Sequence, residues 1–438
     1  MKIILLSGGS GKGLWPLSNE VRSKQFLKYF KDPAGNSESM LQRVYRQIKQ
    51  AAPDAFVTIA TSRQQVSAIY SQLGKEIGVS CEPCRKDTFP AVVLAALYLR
   101  DICGVDESET VVVCPVDAFA ADDFFKSVIR LGKLVETGSS NLMLIGIPPA
   151  SPDESYGYIQ PGDTNEVSPV IAFEEKPALS QAKDYISKGA LWNSGTFAFR
   201  LGYILKRASE LIDFSEYHDL FLNYESLNAI SIDRAVAEHE TDIAVLKYTG
   251  MWRDIGNWMS LTEAMSDESA ESENFKENCS NVHIINELSL PVLAVGLHDV
   301  IISVSPEGIL VCDRESSCQI KPIVDKLAQQ VMVAEKSWGS YQVINIEQDS
   351  LAIKVTLNPG HSMNYHSHQK RDEIWVVIAG TGRTIVDGME QCVNVGDVIT
   401  MQAGCRHTII ADSQMKLIEI QLGKEISVHD KLKFKLEK

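Results

Sequence analysis

Four side chains near the C-terminus have the types and spacing of a metal-binding set. His366 and His368 lie two residues apart in GHSMNYHSHQKRDEIWVVIAG, so on a strand their side chains share a face. Glu373 follows in the same stretch, and His407 ends the stretch GDVITMQAGCRH. Three imidazoles and one carboxylate suit a divalent transition metal, and Zn²⁺ is the ion that we expect. Solvent-facing histidines that hold no metal are the alternative.

A second chemical signal is the glycine-rich turn after the first apolar run, in IILLSGGSGKGLWPLS. Closely spaced glycines let backbone N–H groups approach a polyphosphate, because no Cβ intrudes. The turn is not a Walker A motif, since Gly13 follows Lys12 where serine or threonine is required. It is not the dinucleotide fingerprint either, since Leu14 stands in place of the last glycine. A turn without a ligand is the alternative at this point.

The longer string GGSGKGLWPLSN, followed by RSKQFL, resembles the signature of sugar-phosphate nucleotidyltransferases, in particular mannose-1-phosphate guanylyltransferases. The resemblance implies that Lys24 meets the phosphates of a nucleoside triphosphate. It also implies that the triphosphate is gripped by the backbone of Gly8, Gly9, Ser10 and Gly11. Gly13 replaces an arginine of the family, and Lys12 is expected to cover that catalytic role only in part, as a point charge.

Later segments match the same family in the same order. EPCRKDTFPA resembles the segment that contacts base and ribose, which implies nucleotide contacts by Glu82, Arg85, Asp87 and Thr88. SYGYIQ, FEEKP and LWNSGTFAF resemble the sugar-side segments. They imply a sugar-phosphate pocket lined by Gly157, Glu175, Lys176, Asn193 and Ser194.

Two aspartates far apart in sequence, Asp117 and Asp254, match the metal-binding pair of the family. Joining two phosphates brings anions together, and Mg²⁺ held by carboxylates neutralises that charge and orients an in-line displacement. A sugar phosphate is already a nucleophile at pH 7, so positioning and electrostatics carry the catalysis. Without the resemblance, Asp117 would be taken as a helix cap and Lys24 as a surface lysine.

The histidine-rich region resembles both cupin motifs, and its surroundings resemble a type II phosphomannose isomerase, which interconverts fructose 6-phosphate and mannose 6-phosphate. The chain departs from that pattern by having His366 in place of glutamine and Ile374 in place of histidine. Isomerisation needs a general acid/base near the first two sugar carbons, and the chain leaves that group open. A regulatory or degenerate barrel is the competing interpretation.

The elements that position these residues fall into three regions. Strand patterns at 3–7, 55–61, 109–119 and 141–149 alternate with helix patterns at 39–52, 63–74 and 89–102. This alternation predicts an α/β sheet, and the resemblance implies a Rossmann-like mixed sheet of the glycosyltransferase-A type. Short strand patterns and a helix over 321–332 follow an acidic linker, and strand patterns fill 338–422. We predict a nucleotidyltransferase domain over 1–265, a β-rich linker domain over 277–330 and a cupin barrel over 332–438.

Composition narrows the function classes. The 438 residues carry a net charge of −15, which argues against a broad nucleic-acid surface. The sequence holds neither an apolar run of the roughly 18 residues that a membrane span needs nor a signal-peptide cleavage site. We expect a cytoplasmic protein that binds no membrane, and the resemblance implies a homodimer.

The predicted reaction is transfer of GMP from GTP to α-D-mannose 1-phosphate, giving GDP-mannose and pyrophosphate with Mg²⁺. The barrel is expected to bind metal and to isomerise mannose 6-phosphate. The same chemistry on another sugar 1-phosphate, such as a manno-heptose phosphate, is one alternative. A weakened nucleotide-sugar-binding regulator, suggested by Gly13, is another, and a chain in which only the barrel is active is a third.

Overall fold

The computed structural model describes residues 1–9, 11–267, 275–327, 331–427 and 430–435. The described residues form two compact units. The first draws on Met1–Ser10, Ser23–Val66 and Glu76–Ala270, and the second draws on Gly11–Arg22, Ser67–Lys75 and Glu271–Lys438. The three domain boundaries expected from the sequence stay a prediction. Among the described residues, no helix has the length and apolar character that crossing a bilayer requires.

A nine-stranded mixed sheet forms the centre of the first unit. Its strands, in spatial order, are Gly78–Glu82, Phe56–Ser62, Lys2–Ser7, Thr110–Pro115, Leu191–Arg200, Leu142–Ile147, Ile243–Lys247, Val167–Glu175 and Gly157–Pro161. The first four run parallel to one another, whereas Leu191–Arg200 is antiparallel to both of its neighbours. The predicted mixed α/β sheet is therefore confirmed. Because parallel strands end at one edge, the turns after Ser7, Glu82 and Pro115 open on the same side of the sheet.

The helices of the first unit follow the apolar patterns of the sequence. Thr88–Leu97 is apolar on almost every side and is buried in the main core of the sheet, as such a composition requires. Met40–Ala51 begins at a capping box in which Ser39 and Gln42 satisfy each other's backbone N–H groups. The remaining helices are Asp122–Glu136, Leu179–Ser187, Leu201–Ser209, Tyr217–Asn223, Ile232–Ala235 and Trp258–Asp267, with Val66–Leu73 passing into the second unit.

Two small sheets lie within residues 275–313 of the second unit, and together they are called the linker β structure. Its strands are Phe275–Glu277 with Leu293–Val295, and a three-stranded sheet of His283–Asn286, Val300–Ser305 and Gly308–Asp313. The helix predicted over 321–332 is shorter, at Ile320–Val324, and residues 328–330 lie outside the described residues. The helix ends because the N–H groups of Lys326 and Leu327 bond to carbonyls three residues back, which tightens the chain into a turn.

Two sheets then form the predicted barrel. The six-stranded sheet contains Val333–Lys336, Gly339–Ile346, Ser350–Leu357, Met415–Leu422, Asp372–Ala379 and Val398–Met401. The five-stranded sheet contains Met389–Val393, Gly382–Val386, His407–Ala411, His366–Ser367 and Leu432–Lys433. Alternate residues such as Trp375, Val377, Leu417 and Ile409 fill an apolar core between them.

Candidate functional site

Three charged side chains converge in the first unit. The short strands Ala118–Ala120 and Trp252–Asp254 pair antiparallel, which brings Asp117 next to Asp254 although 136 residues separate them in the sequence. Nζ of Lys24 lies 2.8 Å from Oδ2 of Asp117 and 3.8 Å from Oδ1 of Asp254. The structure therefore brings together the lysine and the two carboxylates that the sequence singled out.

The charges of this group influence one another strongly. Burial opposes the cationic form of Lys24, but Asp117 and Asp254 outweigh that effect and raise its pKa. Burial is also the main cause that raises the pKa of Asp254 to about 6, with Asp117 adding to it and Lys24 opposing it. Two carboxylates held this close form an oxygen donor set that fits Mg²⁺.

A buried polar network holds the carbonyl of Gly9. Its oxygen accepts hydrogen bonds from Oγ of Ser23 at 2.9 Å and from Nε2 of Gln65 at 3.1 Å. Nε2 of Gln25 lies 3.3 Å from the carbonyl oxygen of Ser7, and the side chains of Ser23, Gln25 and Gln65 are all buried. Sequence reasoning missed Gln25 and Gln65. Gln25 lies within the matched string RSKQFL, whereas nothing in the sequence around Gln65 marks it, and the two become meaningful only once they are seen to meet.

The nucleotide-side residues lie at the same edge of the sheet. A Cβ on Gly8 would lie 3.5 Å from Oε1 of Glu82, and Oε2 of Glu82 accepts a hydrogen bond from the Tyr224 hydroxyl at 3.0 Å. Burial raises the pKa of Glu82. Arg85 is exposed, with Nη2 3.5 Å from the Gly9 carbonyl oxygen. Gly8, Glu82 and Arg85 are therefore neighbours, as a shared nucleotide site requires.

Asp87 and Thr88 are engaged with the backbone. Asp87 has a left-handed φ of 68°, and its carboxylate accepts a 2.7 Å hydrogen bond from the N–H of Thr88, where the buried helix begins. Oγ1 of Thr88 accepts a hydrogen bond from the N–H of Ile232 at 2.9 Å. In this structure both side chains shape the turn that carries Arg85.

The sugar-side residues meet around Glu175. Gly157 lies opposite Glu175 in the strand register, and a Cβ on Gly157 would come within 2.6 Å of the Glu175 carboxylate, so a larger residue would force that carboxylate to move. Nζ of Lys176 lies 2.8 Å from Oε1 of Glu175. Nδ2 of Asn193 donates a 2.6 Å hydrogen bond to Asp233. Four of the five predicted pocket residues are thus joined by contacts or through Asp233.

Asp233 belongs to this cluster, although sequence reasoning did not select it. Burial, and after it the Glu175 carboxylate, raises the pKa of Asp233 to about 7. Ser194, the fifth predicted residue, is buried, and its Oγ accepts a 3.3 Å hydrogen bond from the N–H of Thr196. Asp233 belongs to the segment SIDRAV, whose match to the family was the available signal.

An aromatic group stands next to the carboxylates. The rings of Tyr156 and Trp192 stack with centroids 4.4 Å apart, and Trp252 meets Tyr156 edge-on at 6.0 Å. Trp252 shares its short strand with Asp254, so these rings border the charged group. Burial, followed by the charge of Asp254, raises the pKa of Tyr156, which keeps its hydroxyl protonated.

The turn beyond Gly9 belongs to the second unit from Gly11 onwards. Gly11 adopts a left-handed φ of 72°, which glycine reaches at no steric cost, and its carbonyl accepts a short hydrogen bond from Oγ of Ser18. Ser10 lies outside the described residues. Gly13 is part of the 3₁₀ turn Lys12–Leu14, whose backbone an arginine can also adopt.

Lys12 is engaged with acidic partners within the second unit. Its Nζ lies 2.7 Å from Oδ1 of Asp325 and 3.8 Å from Oε1 of Glu20. A small cavity of about 180 Å³ adjoins these three residues. The lysine that was expected to replace the family arginine in part therefore has two carboxylates as partners.

The barrel brings together all four predicted metal ligands. His366, His368, Glu373 and His407 are buried, and one ligand atom of each lies within 4.8 Å of every other. His366 stands directly opposite His407 in the strand register. The antiparallel pairing of their strands thus brings together two histidines that are 41 positions apart in the sequence.

Each imidazole is oriented by a backbone carbonyl. Nδ1 of His366 lies 2.6 Å from the carbonyl oxygen of Asn364, and Nδ1 of His407 lies 3.0 Å from that of Cys405. Nδ1 of His368 makes a short hydrogen bond to the carbonyl of Asp430. With Nδ1 protonated for these bonds, each Nε2 carries the lone pair that a metal requires.

Two buried atoms of this set have no conventional partner. Oε2 of Glu373 and Nε2 of His407 lie 3.2 Å apart, yet neither makes a hydrogen bond of acceptable geometry among the described residues. Arg371 donates to Oε1 of Glu373 at 3.0 Å, and its Nη2 lies 3.0 Å from Nε2 of His368. Unsatisfied buried acceptor atoms are costly, and a cation bound between them satisfies both.

Protonation states also match a metal site. Burial, followed by the charge of Lys431, lowers the pKa of His366 to about 3, and burial also lowers the pKa of His368. Burial opposes ionisation of Glu373, but His407, His368 and Arg371 outweigh it and lower its pKa to about 2. Neutral imidazoles beside an ionised carboxylate are the forms that bind a divalent ion.

Ile374, which replaces the family histidine, faces away from this set. It follows Glu373 on the strand Asp372–Ala379, and successive side chains on a strand point to opposite faces. Glu373 and Trp375 are buried inside the barrel, whereas Ile374 is only half-buried. A histidine at this position would therefore not point into the ligand cluster.

Comparison with known proteins places these two sites in context. The family model for nucleotidyl transferases matches residues 2–271, and the model for the C-terminal region of mannose-6-phosphate isomerase matches residues 324–435. A mannose-1-phosphate guanylyltransferase of Salmonella montevideo is 28% identical over 98% of each chain. The xanthan biosynthesis protein XanB of Xanthomonas campestris pv. campestris strain B100 is 28% identical over 98% of this chain and 97% of its own.

A solved structure confirms the fold of the larger part. The crystal structure titled mannose-1-phosphate geranyltransferase, from Thermus thermophilus, superposes with a TM-score of 0.60 at 24% identity. The match covers 74% of this chain and 98% of the other.

Proposed function

The chain belongs to the nucleotidyl transferase family, and we propose that it transfers GMP from GTP to α-D-mannose 1-phosphate, releasing GDP-mannose and pyrophosphate. The convergence of Lys24, Asp117 and Asp254 at the edge of the sheet is the observation that carries this proposal. The guanylyl and mannose specificities are supported by the names of relatives that align along nearly the whole chain.

In this mechanism a phosphate oxygen of mannose 1-phosphate attacks the α-phosphorus of GTP. The new P–O bond forms as the bond to the β-phosphate breaks, and pyrophosphate leaves with its electron pair. No proton needs to move, because the attacking oxygen is already ionised. Mg²⁺ held by Asp117 and Asp254 would neutralise charge between the phosphates.

The protein's own groups bind and orient the two anions. The N–H groups of the turn at Gly8 and Gly9 can approach the triphosphate, since no Cβ stands in the way. Lys24 is a cation held by carboxylates at the same edge, so its charge is in place for the phosphates. The cluster around Glu175 and Lys176 receives the sugar phosphate, and the ring of Tyr156 shields the reacting groups from water.

The decisive experiment measures pyrophosphate release with Mg²⁺, using four nucleoside triphosphates and several hexose 1-phosphates. Turnover with GTP and mannose 1-phosphate supports the proposal. Turnover only with another sugar 1-phosphate, such as a manno-heptose phosphate, would replace the substrate while keeping the reaction. Tight GDP-mannose binding without any turnover would favour the regulator.

A Gly13→Arg variant belongs beside the wild type in this assay. If both turn over, the chain manages without the family arginine. Activity only in the variant would mean that the turn of the natural chain is catalytically weakened. The predicted homodimer is checked on the same preparation by light scattering.

A second proposed activity is interconversion of mannose 6-phosphate and fructose 6-phosphate in the barrel. It is favoured by the buried set of three histidines and Glu373, whose orphaned atoms fit a divalent ion, and by the isomerase match over 324–435. A Zn²⁺ ion bound there would polarise a sugar oxygen. Chelation should abolish isomerisation, and restoration by Zn²⁺ but not Mg²⁺ would support this activity. Isomerisation that survives complete removal of metal would refute the role of the set.

A further inference from the structure

The last strand of the chain lies beside the metal-ligand set. Leu432–Lys433 pairs antiparallel with His366–Ser367, and Lys433 stands directly opposite His366. His366 is in turn opposite His407. Side chains directly opposite each other on neighbouring strands share a face. Lys433 therefore continues the cross-strand row that begins with two candidate metal ligands, and it is the exposed end of that row.

The segment that carries Lys433 is tied to the site by several bonds. The Asp430 carboxylate accepts hydrogen bonds from the backbone N–H groups of Gln369 and Lys370, both at 2.9 Å. The Asp430 carbonyl accepts the bond from Nδ1 of His368 described above. Beyond the lysine, the N–H of Phe434 donates to the Tyr365 carbonyl at 2.8 Å. The segment is thus a built part of the barrel rather than a loose terminus.

Lys431, between these anchors, is half-buried. Burial lowers its pKa, while the carboxylates of Glu419 and Glu373 act in the opposite direction. On the strand Val333–Lys336, the charge of Lys433 adds to burial in lowering the pKa of Lys336. Lys431 and Lys433 thus belong to the segment that pairs with the strand of His366, and Arg371 donates to Glu373 within the same ligand set.

The formal charges of the groups named here leave a small positive excess. The cations are Lys336, Arg371, Lys431 and Lys433, and the carboxylates are Glu373, Glu419 and Asp430, which leaves a sum of +1. A divalent ion on the histidine set would raise the sum to +3. This excess stands in a chain whose net charge is −15, so the positive potential is local.

The barrel interior is also divided by polarity. Glu373, Glu419 and Gln421 point inward at one end, whereas Trp375, Leu417 and their neighbours fill the other end with apolar groups. A polar ligand therefore fits the part of the interior that holds the histidines and Glu373. Its polar part would face the ligand set and its negative charge would face the C-terminal strand.

We propose that Lys431 and Lys433 form a subsite for the phosphate group of a sugar phosphate whose sugar end lies against the histidine set. This inference rests on the second proposed activity, in which the barrel acts on hexose 6-phosphates. It assigns to the C-terminal strand a substrate-binding role, and the positive charge of Lys336 supports that role. If Lys431 only neutralised Glu373 and Glu419, replacing the lysines would leave the affinity for mannose 6-phosphate unchanged.

The test uses the full chain loaded with Zn²⁺, and isothermal titration with mannose 6-phosphate, inorganic phosphate and unphosphorylated mannose. The variants are Lys433→Gln, Lys431→Gln/Lys433→Gln and the charge-preserving Lys431→Arg/Lys433→Arg. Lys354→Gln is the matched control, because Lys354 is exposed on the outer side of a barrel strand. Zinc content is measured for every variant, and the first unit contributes equally to all titrations.

We expect Kd for mannose 6-phosphate to rise about 10-fold in Lys433→Gln and about 100-fold in the double glutamine variant. The arginine variant and the control should stay within about 3-fold of wild type, and binding of mannose should not change. Lysine-dependent binding without isomerisation would refute the isomerase activity and keep the subsite. Unchanged affinity in Lys433→Gln and in the zinc-loaded double variant would overturn the subsite, even if isomerisation is observed.

Discussion

The two candidate sites of this chain are assembled in opposite ways. In the barrel, the four candidate ligands come from both sheets and are between 2% and 3% exposed. In the first unit, Lys24, Asp117 and Asp254 come from three separate segments, and their side chains are between 16% and 37% exposed. Neutral imidazoles with one carboxylate can be buried before any substrate arrives, whereas a site for polyphosphates must keep its charges accessible to a large anion.

The sites also differ in how their segments are held. Every barrel ligand belongs to the second unit, whereas the glycine-rich turn passes from the first unit into the second after Gly9. Within the second unit, three contacts hold the residues that follow the turn. The Trp15 ring lies against Gly308, the Pro16 carbonyl accepts a hydrogen bond from Oγ of Ser305, and Arg22 binds Glu287. The linker β structure therefore holds the C-terminal part of the glycine-rich signature through these contacts.

The largest effect is expected from the carboxylates of the first unit. Asp117→Asn and Asp254→Asn should each lower kcat for pyrophosphate release by about 10³-fold, because each removes charge that would hold Mg²⁺ and that orients Lys24. Isomerisation and zinc content should be unchanged. The exposed Asp54 provides the control, and Asp54→Asn should leave both activities intact. A full rate in either site variant would separate these aspartates from the reaction.

The reverse dissociation is expected from the barrel. His407→Ala should weaken Zn²⁺ binding at least about 100-fold, since it removes a ligand whose Nδ1 is already oriented by a carbonyl. Guanylyl transfer should be unchanged. His361, which lies outside the ligand set, is the matched control, and His361→Ala should retain zinc. Zinc retained by His407→Ala as measured by mass spectrometry would contradict the site.

A third prediction tests how the linker β structure supports the turn. Gly308 has a φ of +153°, and a Cβ there would lie 2.6 Å from the Trp15 ring. Gly308→Ala should lower the free energy of unfolding of the second unit by about 2 kcal/mol through strain and overpacking. Gly388→Ala, at a φ of +82° with no neighbour within 4 Å, isolates the backbone contribution and should cost about 1 kcal/mol. Equal losses in denaturant melts would mean that the Trp15 contact is unimportant.

The smallest effect concerns an ion pair. Arg22 binds the Glu287 carboxylate with two nitrogens, at 2.7 and 2.8 Å, and both side chains are less than one fifth exposed. A double-mutant cycle should give a coupling free energy of about 1 kcal/mol. The pair of Asp184 and Lys188, 60% exposed on a helix, should give less than about 0.5 kcal/mol. Equal couplings would show that the first pair does not anchor the turn.

Much of the fold was predictable because the sequence carries regular patterns. Continuous apolar runs, as at Lys2–Ser7 and Thr110–Pro115, are typical of strands that are buried on both faces of a sheet. The alternating pattern at Met415–Leu422 is typical of a strand that is buried on one face. The helix expected over 321–332 was too long, because no local pattern reveals that the chain tightens into a turn after Val324 and that Asp325 pairs with Lys12.

The candidate sites show the same limit. The residue types and spacing of His366, His368 and Glu373 were visible in the sequence, because a strand has a fixed period. The family resemblance supplied Asp117, Asp254 and Lys24 without showing how they meet. Gln65 and the lysines of the C-terminal strand carried no local signal, and they were recognised only from their contacts. Asp233 lies in the matched segment SIDRAV, but its position next to Glu175 and Asn193 became visible only in the structure.

The sequence by itself determined which chemistry the chain can support, since donor types, glycine positions and strand periodicity are local properties. Tertiary structure alone decided which groups act on one another. The pairing of Ala118–Ala120 with Trp252–Asp254 joins the two aspartates, and the pairing of His366 with Lys433 places a terminal lysine beside a metal ligand. Electrostatic and hydrogen-bonding interactions act over a few ångströms in space, and the distance between residues along the chain does not report that separation.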